Sequence, residues 1–229
     1  MSLAAAIRAT EVLAALAFLQ QGLEHLQAER DERWLFLPRI TLSVFLLSGF
    51  QTQWVCLALM VHAIVILRRF QGPYNGGSDR MGLLILACLV LTHFIPVLRW
   101  RETVFGYLAL QSALSYCIGG WVKVVNPEWR SGQALQDVFR FSAYPVSESL
   151  RAWAERPGLL RYMSWMLMAF ELLFPLTLLT HASLMIGLLI AATFHLVNAC
   201  LFGLNRFFWI WLASYPSLLW FQERILGVG

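Results

Sequence analysis

Lysine is almost missing from this chain: sixteen of its seventeen basic residues are arginine, and Lys123 is the single amine side chain. Charge of either sign is scarce. Charged residues make up 13% of the chain, against about 25% in an ordinary soluble domain, while 59% are hydrophobic and the mean hydropathy is +0.64. This balance excludes an ordinary water-facing domain and points to an integral membrane protein whose surroundings are the lipid bilayer. No basic residues cluster into one face, so the net charge of +4 fits contact with phospholipid headgroups and not with nucleic acid. The four cysteines, Cys56, Cys88, Cys117 and Cys200, form no CxxC pair and are expected to be free thiols. No HExxH, HxxxH or carboxylate cluster is present, so no metal site is expected. No inverted repeat or low-complexity segment is visible, which argues against a small transporter.

Apolar runs fill most of the 229 residues. At about 20 residues per crossing they predict an all-α, polytopic transmembrane bundle of seven or eight spans in a single domain, residues 1–229. The first run, about Leu3 to Gln20, carries Glu11 and lacks a convincing small-residue cleavage site, so it reads as a retained helix and not a signal peptide. Residues 35–69 form a hairpin of short spans broken at Gln51-Thr52-Gln53. Gln71 to Asp79 is a Gly/Asn turn. Further spans are expected at about Met81–Val97, Val104–Val125, Leu159–Thr180, Ser183–Leu204 and Phe207–Phe221. Between the fifth and sixth lies the longest polar stretch, residues 126–157, expected to form short amphipathic interfacial helices with a Ser147 cap. In an eight-span reading, thirteen of the seventeen cations fall on the side of that stretch, which the positive-inside rule assigns to the cytoplasm.

Ionisable groups inside spans cost free energy unless they are paired or face a cavity, so they mark the candidate site. Lys123 is such a group, and it is the one side chain here that could serve as an amine base. The plain alternative is a lysine that snorkels from a helix end to the headgroups. Ser112, Tyr116, Gly119 and Lys123 recur at three- and four-residue steps and share one helix face. Gly119 and Gly120 allow close approach of a neighbouring backbone or of a flat ligand, and small residues in membrane helices commonly serve packing alone. His195, Asn198 and Phe202 form a second stripe. Glu171 is the one carboxylate deep in the second half of the chain and is expected to pair with Lys123 or His195, as a functional pair or as a structural ion pair. His62 and His93 are expected only to satisfy backbone carbonyls.

Tyr116-Cys-Ile-Gly-Gly-Trp-Val-Lys123, followed by Asn126-Pro-Glu-Trp129-Arg-Ser-Gly132, resembles the membrane core of the vitamin K-dependent gamma-carboxylases and their bacterial relatives, the HTTM-domain (horizontally transferred transmembrane) proteins. Phe194-His195-Leu-Val-Asn198-Ala-Cys-Leu-Phe202, Leu212-Ala-Ser-Tyr-Pro216 and the loop Tyr74-Asn75-Gly-Gly-Ser78 are similar too, so the resemblance covers about residues 74–220. It implies that Lys123 is the base that deprotonates a reduced, quinone-like, lipid-soluble cofactor, with His195 and Glu171 as further catalytic candidates. Tyr116, Asn198, Gly119, Gly120 and Asn75 would line the ligand site. In a bacterium the chain would lie in the inner (plasma) membrane, and the family orientation puts the lysine on the non-cytoplasmic side, opposite to the charge count.

This sequence departs from the carboxylase pattern in two places. Gly77 stands where the carboxylases carry a histidine, and these residues contain no counterpart of the extramembrane domain that grips the protein substrate. Carboxylation of protein glutamate is therefore not expected. The alternative to an enzyme is a non-catalytic binding or assembly subunit that packs its small-residue faces against another membrane protein.

Overall fold

A computed structural model of the chain describes residues 1–27, 30–69, 76–141 and 148–227. Among them every regular element is helical. In chain order the α-helices are α1 (Leu3–Glu24), α2 (Arg30–Ser48), α3 (Thr52–Arg69), α4 (Gly76–Phe94), α5 (Leu98–Val125), α6 (Pro127–Ser131), α7 (Gln133–Phe141), α8 (Glu148–Arg151), α9 (Pro157–Leu173), α10 (His181–Phe202) and α11 (Asn205–Ile225). A 3₁₀ segment, Phe174–Leu179, extends α9 past Pro175, and another covers Ala152–Glu155. The expected long helices are found, with shifted ends. Gly76 to Asp79, expected in the Gly/Asn turn, form the first turn of α4, and the rest of that expected turn lies outside the described residues. Likewise α5 begins at Leu98, not Val104, since Arg99 and Arg101 are good helix formers and Pro96 sets the break before them. Asn75 and the Ser147 cap lie outside the described residues.

Among the described residues, six helical segments are long and apolar enough to cross a membrane: Leu3–Glu24, Thr52–Arg69, Gly77–Phe94, Leu98–Val125, Pro157–Leu179 and His181–Phe202. Seven or eight spans were expected, so the count differs slightly. The difference lies in α2, which opens on Arg30-Asp31-Glu32-Arg33 and includes Pro38 and Arg39, and in α11, which is aromatic more than aliphatic and carries Arg206, Glu223 and Arg224.

The chain divides into two compact units, residues 1–110 with 205–228, and residues 111–204. In the first, α1 packs on α2, α4 and α11, and α3 packs on α2 and α4. Ala6, Ala14, Ala15 and Ala17 are buried on α1 and let its neighbours come close. The Arg8 guanidinium donates to the Leu46 carbonyl at 2.8 Å and the Leu47 carbonyl at 2.6 Å, satisfying the open end of α2. The Arg39 guanidinium lies 4.4 Å from the centroid of the Phe18 ring. His62 Nε2 meets the Leu35 carbonyl at 2.7 Å, as expected of a lone histidine. His93 differs: its Nε2 lies 2.6 Å from Glu11 Oε1.

The second unit holds the C-terminal part of α5 and helices α6 to α10. Asn126 caps α6 by accepting from the Glu128 amide at 2.8 Å. Gly132 then turns the chain at φ +86°, a conformation that favours glycine, with the Arg161 backbone 2.8 Å from where a Cβ would stand. The polar stretch does form short amphipathic helices. From their apolar sides Phe139 and Ala154 pack with Leu160 of α9 and Phe202 of α10 into a small core, with Phe139 edge-on to Phe202 at 5.2 Å. Thr180 and Ser183 make a capping box at the start of α10.

Candidate functional site

The polar groups of the second unit gather on the face of α5 that the sequence marked. Tyr116, Gly119 and Lys123 follow one another at steps of three and four residues, so the stretch from Tyr116 to Lys123 spans about 10 Å of helix. Each end of this face holds one buried polar pair.

At the lower end, Lys123 Nζ lies 2.5 Å from Glu171 Oε2, and also donates to the Gly119 carbonyl at 3.4 Å. The carboxylate is 8% exposed and the lysine side chain 19%. Glu171 sits near the end of α9, where Gly120 allows the approach: a Cβ on Gly120 would lie 2.5 Å from the Leu172 nitrogen and 3.0 Å from the Glu171 carbonyl carbon. Gly120 thus serves backbone-to-backbone packing, the simpler of its two expected roles. Trp129 completes this end, with its ring centroid 5.3 Å from Lys123 Nζ. It is held there because Asn126-Pro127 breaks α5 and reverses the chain, while Ser164 Oγ on α9 donates to the Trp129 carbonyl at 2.5 Å.

At the upper end, the Tyr116 hydroxyl lies 2.8 Å from His195 Nε2 on α10. Both residues are buried. The Tyr116 ring stacks on Phe174 with centroids 4.1 Å apart and meets Phe170 edge-on at 6.3 Å. An aromatic wall therefore fixes the phenol, and the phenol fixes the imidazole.

Gly119 lies between the two pairs. A Cβ there would stand 3.6 Å from Glu171 Oε2 and 3.7 Å from Lys123 Nζ, which is ordinary contact. Unlike its neighbour, Gly119 is half-buried and not forced by backbone packing; its face lies against the ion pair.

The structure brings Lys123, Glu171, Gly119 and Gly120 together, and Tyr116 with His195. Of the two partners open to Glu171, it takes Lys123. Asn198 is half-buried one turn beyond His195, and its carbonyl accepts from the Leu204 amide at 3.3 Å. No side-chain hydrogen bond joins Asn198 to the cluster among the described residues. Trp129 and Phe174 were not expected at the site. Trp129 had a signal, since it follows Lys123 by six residues across an Asn-Pro helix break. Phe174 had none, because its contact with Tyr116 depends on how α9 docks.

A protein-family model, the HTTM domain, matches residues 95–223. No curated protein and no solved structure matches the chain. The matched region contains Tyr116, Gly119, Gly120, Lys123, Glu171, His195 and Asn198, and excludes Asn75. It covers more than half of the 229 residues, and its membrane-length apolar helices agree with the composition: this integral membrane protein belongs to the HTTM domain family.

Proposed function

We propose that the chain is a membrane enzyme of acid–base type, and that the Lys123–Glu171 pair acts on a flat, lipid-soluble, quinone-like molecule. The observation that carries this reading is the 2.5 Å contact between Lys123 Nζ and Glu171 Oε2 beside Gly119. A proton passed along that contact turns an ammonium and a carboxylate into an amine and a carboxylic acid. Charge is conserved, and in a poorly solvated setting the neutral form avoids the cost of holding two separated ions. The amine can then take the proton of an acidic O–H on a ligand lying over Gly119, with Trp129 offering a ring for it to stack on. Tyr116, fixed by Phe174 and His195, supplies a hydroxyl two turns away for the far end of a two-ring molecule. The resemblance to the carboxylase membrane core favours a reduced naphthoquinone as the ligand class.

Lys123→Arg tests the proposal. Arginine keeps the charge and the pair with Glu171 but does not deprotonate near neutrality. With purified protein, reduced naphthoquinone and oxygen, the wild type should consume oxygen above the protein-free rate, and Lys123→Arg should fall to that rate while its thermal stability stays near normal. Equal oxygen uptake by both proteins would sink the role of Lys123 as base. Uptake by neither would favour the binding or assembly subunit, in which the ion pair only neutralises two buried charges.

A further inference from the structure

In the first unit, outside residues 95–223, three side chains of metal-binding type converge from three helices. Glu11 on α1, Cys56 on α3 and His93 on α4 place a carboxylate oxygen, a thiol sulfur and an imidazole nitrogen within 4.8 Å of one another. Glu11 is 2% exposed and Cys56 fully buried. We propose that these residues form a binding site for a borderline-soft divalent transition metal of the zinc class, tying α1, α3 and α4 together. The proposal is independent of the reading given to Lys123.

The donor set selects the ion. One nitrogen, one sulfur and one oxygen suit zinc or cobalt, whereas calcium and magnesium require shells made largely of oxygen. The thiolate and the carboxylate offset the two positive charges of the ion while the imidazole stays neutral, so the one charge left over is that of Arg8, which pairs with Glu11. Metal–ligand distances of about 2.0–2.3 Å set neighbouring ligand atoms roughly 3.5 Å apart. His93 Nε2 and Glu11 Oε1, now 2.6 Å apart, would open by about 1 Å, a side-chain rotation. Arg8 Nη1 holds the other carboxylate oxygen at 2.9 Å and is itself anchored on the Leu46 and Leu47 carbonyls, so it orients Glu11 with Oε1 left for the ion. On binding, the thiol proton leaves to solvent and the imidazole proton moves from Nε2 to Nδ1.

The test uses the full-length chain without an affinity tag, stripped with chelator and titrated with zinc or cobalt alone. One equivalent per chain is expected, with a near-ultraviolet thiolate-to-cobalt charge-transfer band and a rise in unfolding temperature with zinc. Cys56→Ser should remove the band and weaken zinc binding by at least about a hundredfold, and His93→Gln should do the same should the serine variant fail to fold. Cys88→Ser and Cys200→Ser should leave both readouts unchanged. No stoichiometric uptake, or a cobalt band that survives Cys56→Ser, would overturn the site and leave Glu11 and His93 as a simple hydrogen-bonded pair.

Discussion

Gly120 on α5 and Leu172 on α9 lie so close that a single methyl group does not fit between them: a Cβ on Gly120 would stand 2.5 Å from the Leu172 nitrogen. This approach carries Glu171, one residue earlier on α9, to Lys123, one turn later on α5. The packing of two backbones and the pairing of two charges are therefore one feature of the fold.

Gly120→Ala should destabilise the protein by about 1–3 kcal/mol, the usual cost of overpacking, because the atoms in the way are backbone and cannot rotate aside. Gly119→Ala meets only ordinary contacts at 3.6 and 3.7 Å and should cost little by comparison. Thermal unfolding of both variants in the same detergent checks the contrast. Equal stability of the two would show that α5 and α9 do not meet as described.

Glu171→Leu leaves the Lys123 ammonium among apolar helices without its counter-charge. Breaking a buried pair from one side typically costs about 3–5 kcal/mol, and the 19% exposure of the lysine side chain places this case at or below the lower end. The double variant Lys123→Met/Glu171→Leu removes both charges and should recover most of the loss. Wild-type stability in the single variant would contradict the pair. A double variant that is stable but inactive would separate chemistry from structure.

Much of this was legible in the sequence, and the limits have a physical cause. Spacing alone placed Tyr116, Gly119 and Lys123 on one face, because helical periodicity is a property of the segment itself. Glu171 was found as a partner because charges in spans are few and must be satisfied. His93 was misjudged: it meets Glu11, 82 residues away, where a backbone carbonyl was expected. Periodicity tells which face a residue occupies but not which helix lies opposite. The same limit hid the convergence of Glu11, Cys56 and His93, and it concealed Phe174 behind Tyr116. The span count differs at α2 and α11, where arginines, acidic residues and aromatics dilute otherwise apolar runs.

Protein gamma-carboxylation should be absent. The reaction needs a base, a group to stabilise the deprotonated quinol, a carbon dioxide site and a surface that holds the peptide, since positioning supplies much of the rate. On the proposed reading Lys123 would supply the first, and the resemblance puts Gly77 where the carboxylases carry a histidine. Purified protein given reduced vitamin K, oxygen, labelled bicarbonate and a glutamate-rich peptide should incorporate no label. Incorporation that depends on Lys123 would make the chain a minimal carboxylase.

Mass spectrometry of the lipid-soluble molecules that stay with the protein through purification tests the central claim most directly. The wild type should retain a quinone-like molecule, and Gly119→Leu, which sets a bulky side chain against the Lys123–Glu171 pair, should lose it while remaining folded. A wild type that carries only bulk membrane lipid, or a quinone-like molecule held equally by Gly119→Leu, would contradict a ligand site at this pair.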